Sequence, residues 1–116
     1  MSFAEQLAAC RVLPVITAHD VEATVRLTQA LEQGGIRAVE ITLRTPGALA
    51  AITAVKAAAP QLLVAAGTVT TSRDLDKSLE AGADFCVSPG LTGGLQTIAQ
   101  VFLGPPTLQP GIAFSL

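Results

Sequence analysis

The fold is decided by the stretch Ala38-Val39-Glu40-Ile41-Thr42-Leu43-Arg44-Thr45, whose alternating apolar and polar side chains predict a β-strand with two unlike faces. One face carries Val39, Ile41 and Leu43. The other carries Glu40, Thr42 and Arg44. Predicted helices precede and follow the strand, and a strand between crossover helices belongs to a parallel sheet that is buried on both faces. Burying a carboxylate and a guanidinium there costs free energy unless the two charges are paired or serve a function. The pattern indicates either a small-molecule site lined by Glu40 and Arg44 or a solvated strand face with an incidental salt bridge.

The same strand-and-helix unit recurs along the chain. Strands are predicted over 11–17, 38–45, 61–69, 84–90 and 107–112, with Pro14 weakening the first of them. Helices are predicted over 2–10, 21–33, 47–59, 71–82 and 94–102. Asp20 and Ser72 are the expected helix N-caps, and glycines at 34, 35 and 82 are expected to end helices.

Repeated βα units with right-handed crossovers predict a parallel sheet. Two architectures fit, an open doubly wound sheet of five strands or part of a (β/α)₈ barrel, which usually needs about 250 residues. Arg44, Thr68 and Ser88 follow three different strands at their carboxyl ends, which is where both architectures bind ligands. Neither a dinucleotide-binding glycine motif nor a phosphate-binding P-loop motif occurs in the sequence.

Composition narrows the class of protein. The 116 residues are expected to form a single unit, 1–116, without an internal domain boundary, and 50% of them are hydrophobic. A net charge of −2 and an aromatic content of 3% do not favour nucleic-acid binding. The absence of a long apolar run and of signal-peptide features predicts a cytoplasmic protein. Cys10 and Cys86 are expected to be reduced core residues, and His19 a surface or capping residue.

Four segments in this order resemble those of the bacterial KDPG/KHG aldolases, which are 2-dehydro-3-deoxy-phosphogluconate and 4-hydroxy-2-oxoglutarate aldolases and include relatives acting on 2-dehydro-3-deoxy-6-phosphogalactonate. They are Val39-Glu40-Ile41-Thr42-Leu43-Arg44-Thr45, Ala66-Gly67-Thr68-Val69, Ser88-Pro89-Gly90 and Pro110-Gly111-Ile112. The resemblance runs from about Cys10 to Ile112 and covers about the first half of the family's barrel. It implies a partial (β/α)₈ barrel of about four βα units plus a fifth strand.

The resemblance also implies a chemistry. Family members are class I aldolases that need no metal or other cofactor, and they act in carbohydrate metabolism such as the Entner–Doudoroff pathway. A lysine attacks the ketone of a 2-keto acid, and the Schiff base accepts electrons while a carbon–carbon bond breaks to give pyruvate and an aldehyde. Glu40 matches the family's general acid/base, and Arg44 and Thr68 match its pyruvate-binding residues. Pro89 matches a residue of the pocket wall, and the implied assembly is a trimer.

One departure from the family pattern is large. The Schiff-base lysine of the family lies on the sixth strand, and this sequence stops before it. Its two lysines, Lys56 and Lys77, are expected to be solvated side chains on helices. The chain is therefore expected to be inactive by itself, and to associate with itself or with a complementing chain, because a half-barrel leaves open sheet edges. Two alternatives remain: a complete flavodoxin-like binding module, or a non-catalytic assembly fragment.

Overall fold

Helices and strands alternate in the computed structural model, which describes Cys10, residues 12–88 and residues 112–114. The strands are β1 (Val15–Ile16), β2 (Ala38–Thr42), β3 (Leu63–Gly67), β4 (Phe85–Ser88) and β5 (Ile112–Phe114). The helices are α1 (Val21–Gln33), α2 (Ala48–Ala58) and α3 (Ser72–Ala81). The helix predicted over 94–102, and all of that predicted over 2–10 except Cys10, lie outside the described residues.

The five strands form one parallel sheet in which each strand pairs with the next in sequence, in the order β1-β2-β3-β4-β5. A doubly wound sheet reverses direction at a switch point, so its strand order is not consecutive. The consecutive order is that of a (β/α)₈ barrel, in which each unit adds one strand on the same side. This order does not favour the flavodoxin-like alternative.

The hydrophobic core lies between the sheet and the helices. On β2, Val39 and Ile41 are fully buried against α2, where Ile52 and Val55 are also fully buried. Burying an aliphatic side chain of this size contributes about 1.5–3 kcal/mol, so this layer supplies much of the stability. The predicted apolar face of β2 is thereby confirmed, with half-buried Leu43 packed against the same core.

Most element ends lie close to the predicted ones. Helix α1 has the predicted limits at both ends. Its start is set by the Asp20 side chain, which accepts a hydrogen bond from the Ala23 N–H at 2.9 Å. Gly82 ends α3 in the left-handed conformation, with φ of 105°. The prediction of Ser72 as the cap of α3 was wrong. Thr71 has the extended backbone of a cap, and its hydroxyl accepts from the Asp74 N–H at 3.0 Å.

Every strand differs from its predicted limits: β3 is shorter than 61–69 by two residues at each end, and β4 begins at residue 85 rather than at residue 84. Strand β1 is confined to Val15–Ile16, which follows Pro14 directly. Strand β2 ends at Thr42 rather than at residue 45, so Arg44 lies in the turn that leads to α2. Strand β5 begins at Ile112, the last residue of its predicted range, and residues 107–111 lie outside the described part.

The expectation that Lys56 is a solvated helix lysine was wrong. Its ammonium group donates to the Asp84 carboxylate at 2.8 Å and to the Leu62 carbonyl at 2.9 Å. The same carboxylate oxygen accepts from the Val64 N–H at 2.8 Å, so Asp84 ties α2 to the amino-terminal ends of β3 and β4. Lys77, in contrast, is exposed on α3, as predicted.

Among the residues that the structure describes, none of the helices combines the length and hydropathy needed to cross a lipid bilayer.

Replacing Asp84 by Ala is expected to destabilise the fold by about 2–3 kcal/mol, because Lys56 and the Val64 N–H both lose a charged acceptor. Equilibrium urea unfolding followed by circular dichroism measures the loss. The matched control is Glu80→Ala, which removes an exposed carboxylate from α3. Equal losses in the two variants would contradict a structural role for the Lys56–Asp84 pair.

Candidate functional site

The face of the sheet opposite the helices carries a depression of about 350 Å³. Its lining residues come from or directly follow the first four strands, and they are Val15, Thr17, Glu40, Thr42, Arg44, Thr68 and Val87. Three of the residues predicted to form a site, Glu40, Arg44 and Thr68, are thus brought to one place. The alternation of side chains along β2 places Glu40 on this face of the sheet, since Glu40 and Thr42 point away from the core that holds Val39 and Ile41.

Glu40 is the most buried ionisable group of this depression, with 9% of the residue exposed. It stands opposite Ala65 in the parallel register, and its side chain leans along the strand direction over Gly67. Burial raises the pKa of the Glu40 carboxyl above its ordinary value, and the Arg44 guanidinium offsets part of that rise. An acid in such surroundings keeps its proton to higher pH than an exposed one and is suited to proton transfer.

Arg44 reaches the depression from the turn after β2, and hydrogen bonds on both sides fix its backbone. On one side the Leu43 N–H donates to the Gly67 carbonyl at 2.9 Å. On the other, the Thr45 hydroxyl donates to the carbonyl of buried Ala18 at 2.6 Å. Among the described residues the ion pair is Lys56–Asp84, so the interpretation of Glu40 and Arg44 as an incidental salt bridge was wrong. The guanidinium is exposed at the mouth of the depression, where it can meet an anion.

Thr68 occupies a strained backbone conformation at the carboxyl end of β3. Its φ is 60°, in the left-handed region that β-branched residues avoid at a cost of about 1–3 kcal/mol. The residues on either side are held by the neighbouring strands, because Gly67 accepts from Leu43 and the Val69 N–H donates to the Val87 carbonyl at 3.1 Å. Strain of this kind persists only where the surroundings enforce it, and it concentrates at functional sites.

Several lining residues were not predicted from the sequence. Val15, Thr17, Thr42 and Val87 add two hydroxyls and two apolar surfaces to the depression. Gly67 does not line the depression, but it is paired with Thr42 and contacts the Glu40 side chain. The alternation of β2 carries the signal for Thr42, which lies two residues from Glu40. The signal for Gly67 is its pairing with Thr42, which a single strand does not show.

Other candidate residues lie elsewhere. The expected pocket-wall residue Pro89 is outside the described residues, and so is the side chain of Ser88, although Ser88 itself ends β4. His19 is exposed in the turn before α1, and neither lysine lines the depression. Within the described range, His, Cys, Asp and Glu side chains form no group of three or more that could hold a metal ion.

The two cysteines form no disulfide. Cys86 is fully buried among the core residues on the helix side of the sheet, as expected, while Cys10 is only partly buried. Burial raises the pKa of the Cys86 thiol to about 12, with a smaller opposing effect from a hydrogen bond to Ser78. A thiol in this state is a packing residue and not a nucleophile.

The depression therefore combines a buried acid, an exposed guanidinium and three hydroxyls at the carboxyl ends of parallel strands. A guanidinium and hydroxyls bind a carboxylate through parallel hydrogen bonds. A buried acid beside them can give a proton to a reacting atom and take it back. The arrangement suits a small carboxylic acid that undergoes proton transfer.

This chain matches proteins of a known family along nearly all of its length. Residues 3–115 match the family model described as KDPG and KHG aldolase. The KHG/KDPG aldolase of Escherichia coli K12 is 43% identical over 102 residues, which are 88% of this chain and 47% of that protein. The 2-dehydro-3-deoxy-phosphogluconate aldolase of Dickeya dadantii is 43% identical over 111 residues, covering 95% of this chain and 51% of its own length.

A solved structure supports the same relation. The crystal structure of the KDPG aldolase of Legionella pneumophila, with pyruvate captured as a covalent carbinolamine intermediate, superposes with a TM-score of 0.82. It is 37% identical, and the match covers 90% of this chain and 51% of that one. The chain spans about half the length of the curated relatives that it matches.

The predicted partial (β/α)₈ barrel is confirmed by this superposition together with the consecutive strand order. Because the family model matches nearly every residue, the chain belongs to the KDPG and KHG aldolase family.

Proposed function

We propose that this chain supplies the acid–base and carboxylate-binding groups of a class I aldolase site, which cleaves a 2-keto-3-deoxy sugar acid or its phosphate to pyruvate and an aldehyde. The observation that carries the proposal is the convergence of Glu40, Arg44 and Thr68 on one depression. The covalent pyruvate intermediate captured on the Legionella relative supports the choice of ligand.

In this proposal Glu40 moves protons. Forming an imine from a carbinolamine requires a proton on the departing hydroxyl, and converting an enamine to the pyruvate imine requires a proton on carbon. A carboxyl whose pKa is raised by burial keeps a transferable proton to higher pH than an ordinary carboxyl does, so Glu40 is suited to supply either proton.

Arg44 and Thr68 bind the ligand. The planar guanidinium of Arg44 offers two parallel donors to the carboxylate of the keto acid. Thr68 adds a hydroxyl that the clamped backbone holds in place, so little side-chain ordering is needed when the ligand binds. Pro89 is assigned to the pocket wall on the strength of the family resemblance.

The nucleophilic amine is assigned to a segment outside these 116 residues, on the same or another chain. Lys56 is bonded to Asp84 at the amino-terminal ends of the strands, while the depression lies toward the carboxyl ends. Lys77 is exposed on α3 and does not line the depression. We therefore propose that the 116 residues alone bind a keto acid without forming a Schiff base.

A non-catalytic assembly fragment is the second candidate. The observation in its favour is the exposed apolar surface at β1, where Val12 is 60% and Val15 is 62% exposed. An edge strand with such side chains favours pairing with another copy or with a complementing chain, and a trimer is the assembly that the family resemblance implies.

We place the protein in the cytoplasm, where thiols such as that of Cys86 stay reduced.

Replacing Arg44 by Ala is expected to weaken pyruvate binding by about 10–30-fold, because a bidentate charged contact is worth about 1.5–2 kcal/mol here. Nuclear magnetic resonance titration of the 116-residue chain with pyruvate measures the dissociation constant. Arg26→Ala is the matched control, since Arg26 is an exposed arginine on α1. Equal affinity in the Arg44→Ala variant and the unmodified chain would refute the proposed carboxylate contact.

Treatment with pyruvate and borohydride is expected to leave the mass of the 116-residue chain unchanged, because neither lysine faces the ligand. Intact-protein mass spectrometry reads out the result, and a full-length aldolase of the family is the positive control. A reduced pyruvate adduct on Lys56 or Lys77 would overturn the assignment of the amine to another segment.

The chain is expected to self-associate through the open face and edge of β1. Replacing exposed Val15 by Lys should reduce the associated fraction measured by sedimentation velocity, because an ammonium group does not tolerate burial in an apolar contact. The matched control is Leu27→Lys on α1, where the leucine is 46% exposed. A sharp monomer boundary for the unmodified chain contradicts this expectation.

A further inference from the structure

We infer that Gly67 is a positioning residue for Glu40. Because residue 67 has no side chain, the Glu40 carboxylate can lie in the space that a Cβ atom there would occupy. The inference deepens the function proposed above and rests on it for its catalytic meaning. Its geometric part concerns only β2, β3 and the contact between them.

The contact involves most of the Glu40 side chain. A Cβ atom added at Gly67 would lie 2.7 Å from Cδ and 2.9 Å from Cγ of Glu40, and it would overlap Oε2. Non-bonded carbon atoms approach to about 3.5–4.0 Å, so none of the three atoms can stay where it is once residue 67 has a side chain. A small shift of the carboxylate alone does not resolve the overlap, because Cγ is included.

The register explains why residue 67 is the one that matters. Glu40 stands opposite Ala65, and Gly67 is the next residue of β3 on the same face, opposite Thr42. The side chain of Glu40 therefore leans by one step of the sheet toward the carboxyl ends of the strands. That lean brings the carboxylate toward the end of the strand where Thr68 and Arg44 lie.

Gly67 is not required by the backbone. Gly35 and Gly82 are the glycines of the described range that adopt positive φ, and Gly67 is not one of them. Alanine at residue 67 is therefore allowed by the main chain, and its penalty comes from Glu40. Since the obstructing group is a flexible side chain, the expected response is a displaced carboxylate in a folded protein.

The charged groups around Glu40 make the displacement measurable. Arg44 is the ionisable neighbour of Glu40 among the described residues that line the depression. The lining residues in or directly after β1, β3 and β4 are Val15, Thr17, Thr68 and Val87, and none of them is charged. A carboxylate displaced from its position over Gly67 moves into water, which removes the burial that disfavours its charge. The pKa of Glu40 is therefore expected to fall in a Gly67→Ala variant.

The experiment is a carbon-13 titration of the Glu40 carboxyl in the 116-residue chain, compared with its Gly67→Ala and Gly47→Ala variants. Gly47 is the matched control, because a Cβ there meets only the Val21 side chain, at 3.9 Å. The expected result is a lower titration midpoint in Gly67→Ala and an unchanged one in Gly47→Ala. A Glu40 titration that does not move in Gly67→Ala overturns the inference.

A second measurement holds even if Gly67→Ala weakens folding. Urea unfolding midpoints are compared for Gly67→Ala in the unmodified chain and in a Glu40→Ala background. The inference predicts a loss only where Glu40 is present, and an equal loss in both backgrounds overturns it. Pyruvate affinity is measured separately, so failure of the proposed function is distinguishable from failure of the positioning role.

Discussion

The parallel ladder between β2 and β3 is the constraint on which the rest of the structure depends. It pairs five residues of each strand in continuous register, from Ala38 opposite Leu63 to Thr42 opposite Gly67. A change of register by one residue would exchange the core face for the site face along a whole strand. It would put Glu40 against the helices and Ile41 into the depression. The carboxylate would then be buried in the apolar core at a large cost in free energy, and the depression would lose its acid.

Within that frame the site depends on small residues and on strain. The residues of β3 beside Glu40 are the small Ala65 and Gly67, and the next residue, Thr68, is held with a positive φ. Hydrogen bonds from both neighbouring strands enforce this turn, so its cost is met by the sheet as a whole. In the proposed site the acid and the hydroxyl are thereby positioned before any ligand arrives, which is the arrangement that catalysis by preorganised groups requires.

The sequence predicted what depends on local chemistry. The period-two alternation of 38–45 correctly separated the core face from the site face, and the Asp20 cap and Gly82 set helix ends within a residue. The order of βα units gave the parallel sheet, but it left the barrel and the doubly wound sheet equally open. That choice depends on strand order, which pairing across the sheet determines and single-strand patterns do not show.

The misses involve contacts between distant parts of the chain. Lys56 looked like an ordinary helix lysine because Asp84, its partner, is 28 residues away in sequence. Strand β2 ends early because the turn after it is bonded to Ala18 and Gly67, which belong to two other units. The strained φ of Thr68 and the close approach of Glu40 to Gly67 likewise arise only when neighbouring strands are assembled.

The Lys56–Asp84 ion pair lies at the amino-terminal ends of the strands and the depression at their carboxyl ends. This separation has a consequence for directed evolution. Substitutions at sites that are well separated and share no partners add nearly independently in free energy. A library confined to the residues around this ion pair can therefore be screened for thermal stability while Glu40, Arg44 and Thr68 stay unchanged. Selection for ligand binding at the proposed site can proceed at the opposite end of the sheet, and the best variants from the two searches can be combined in a single chain.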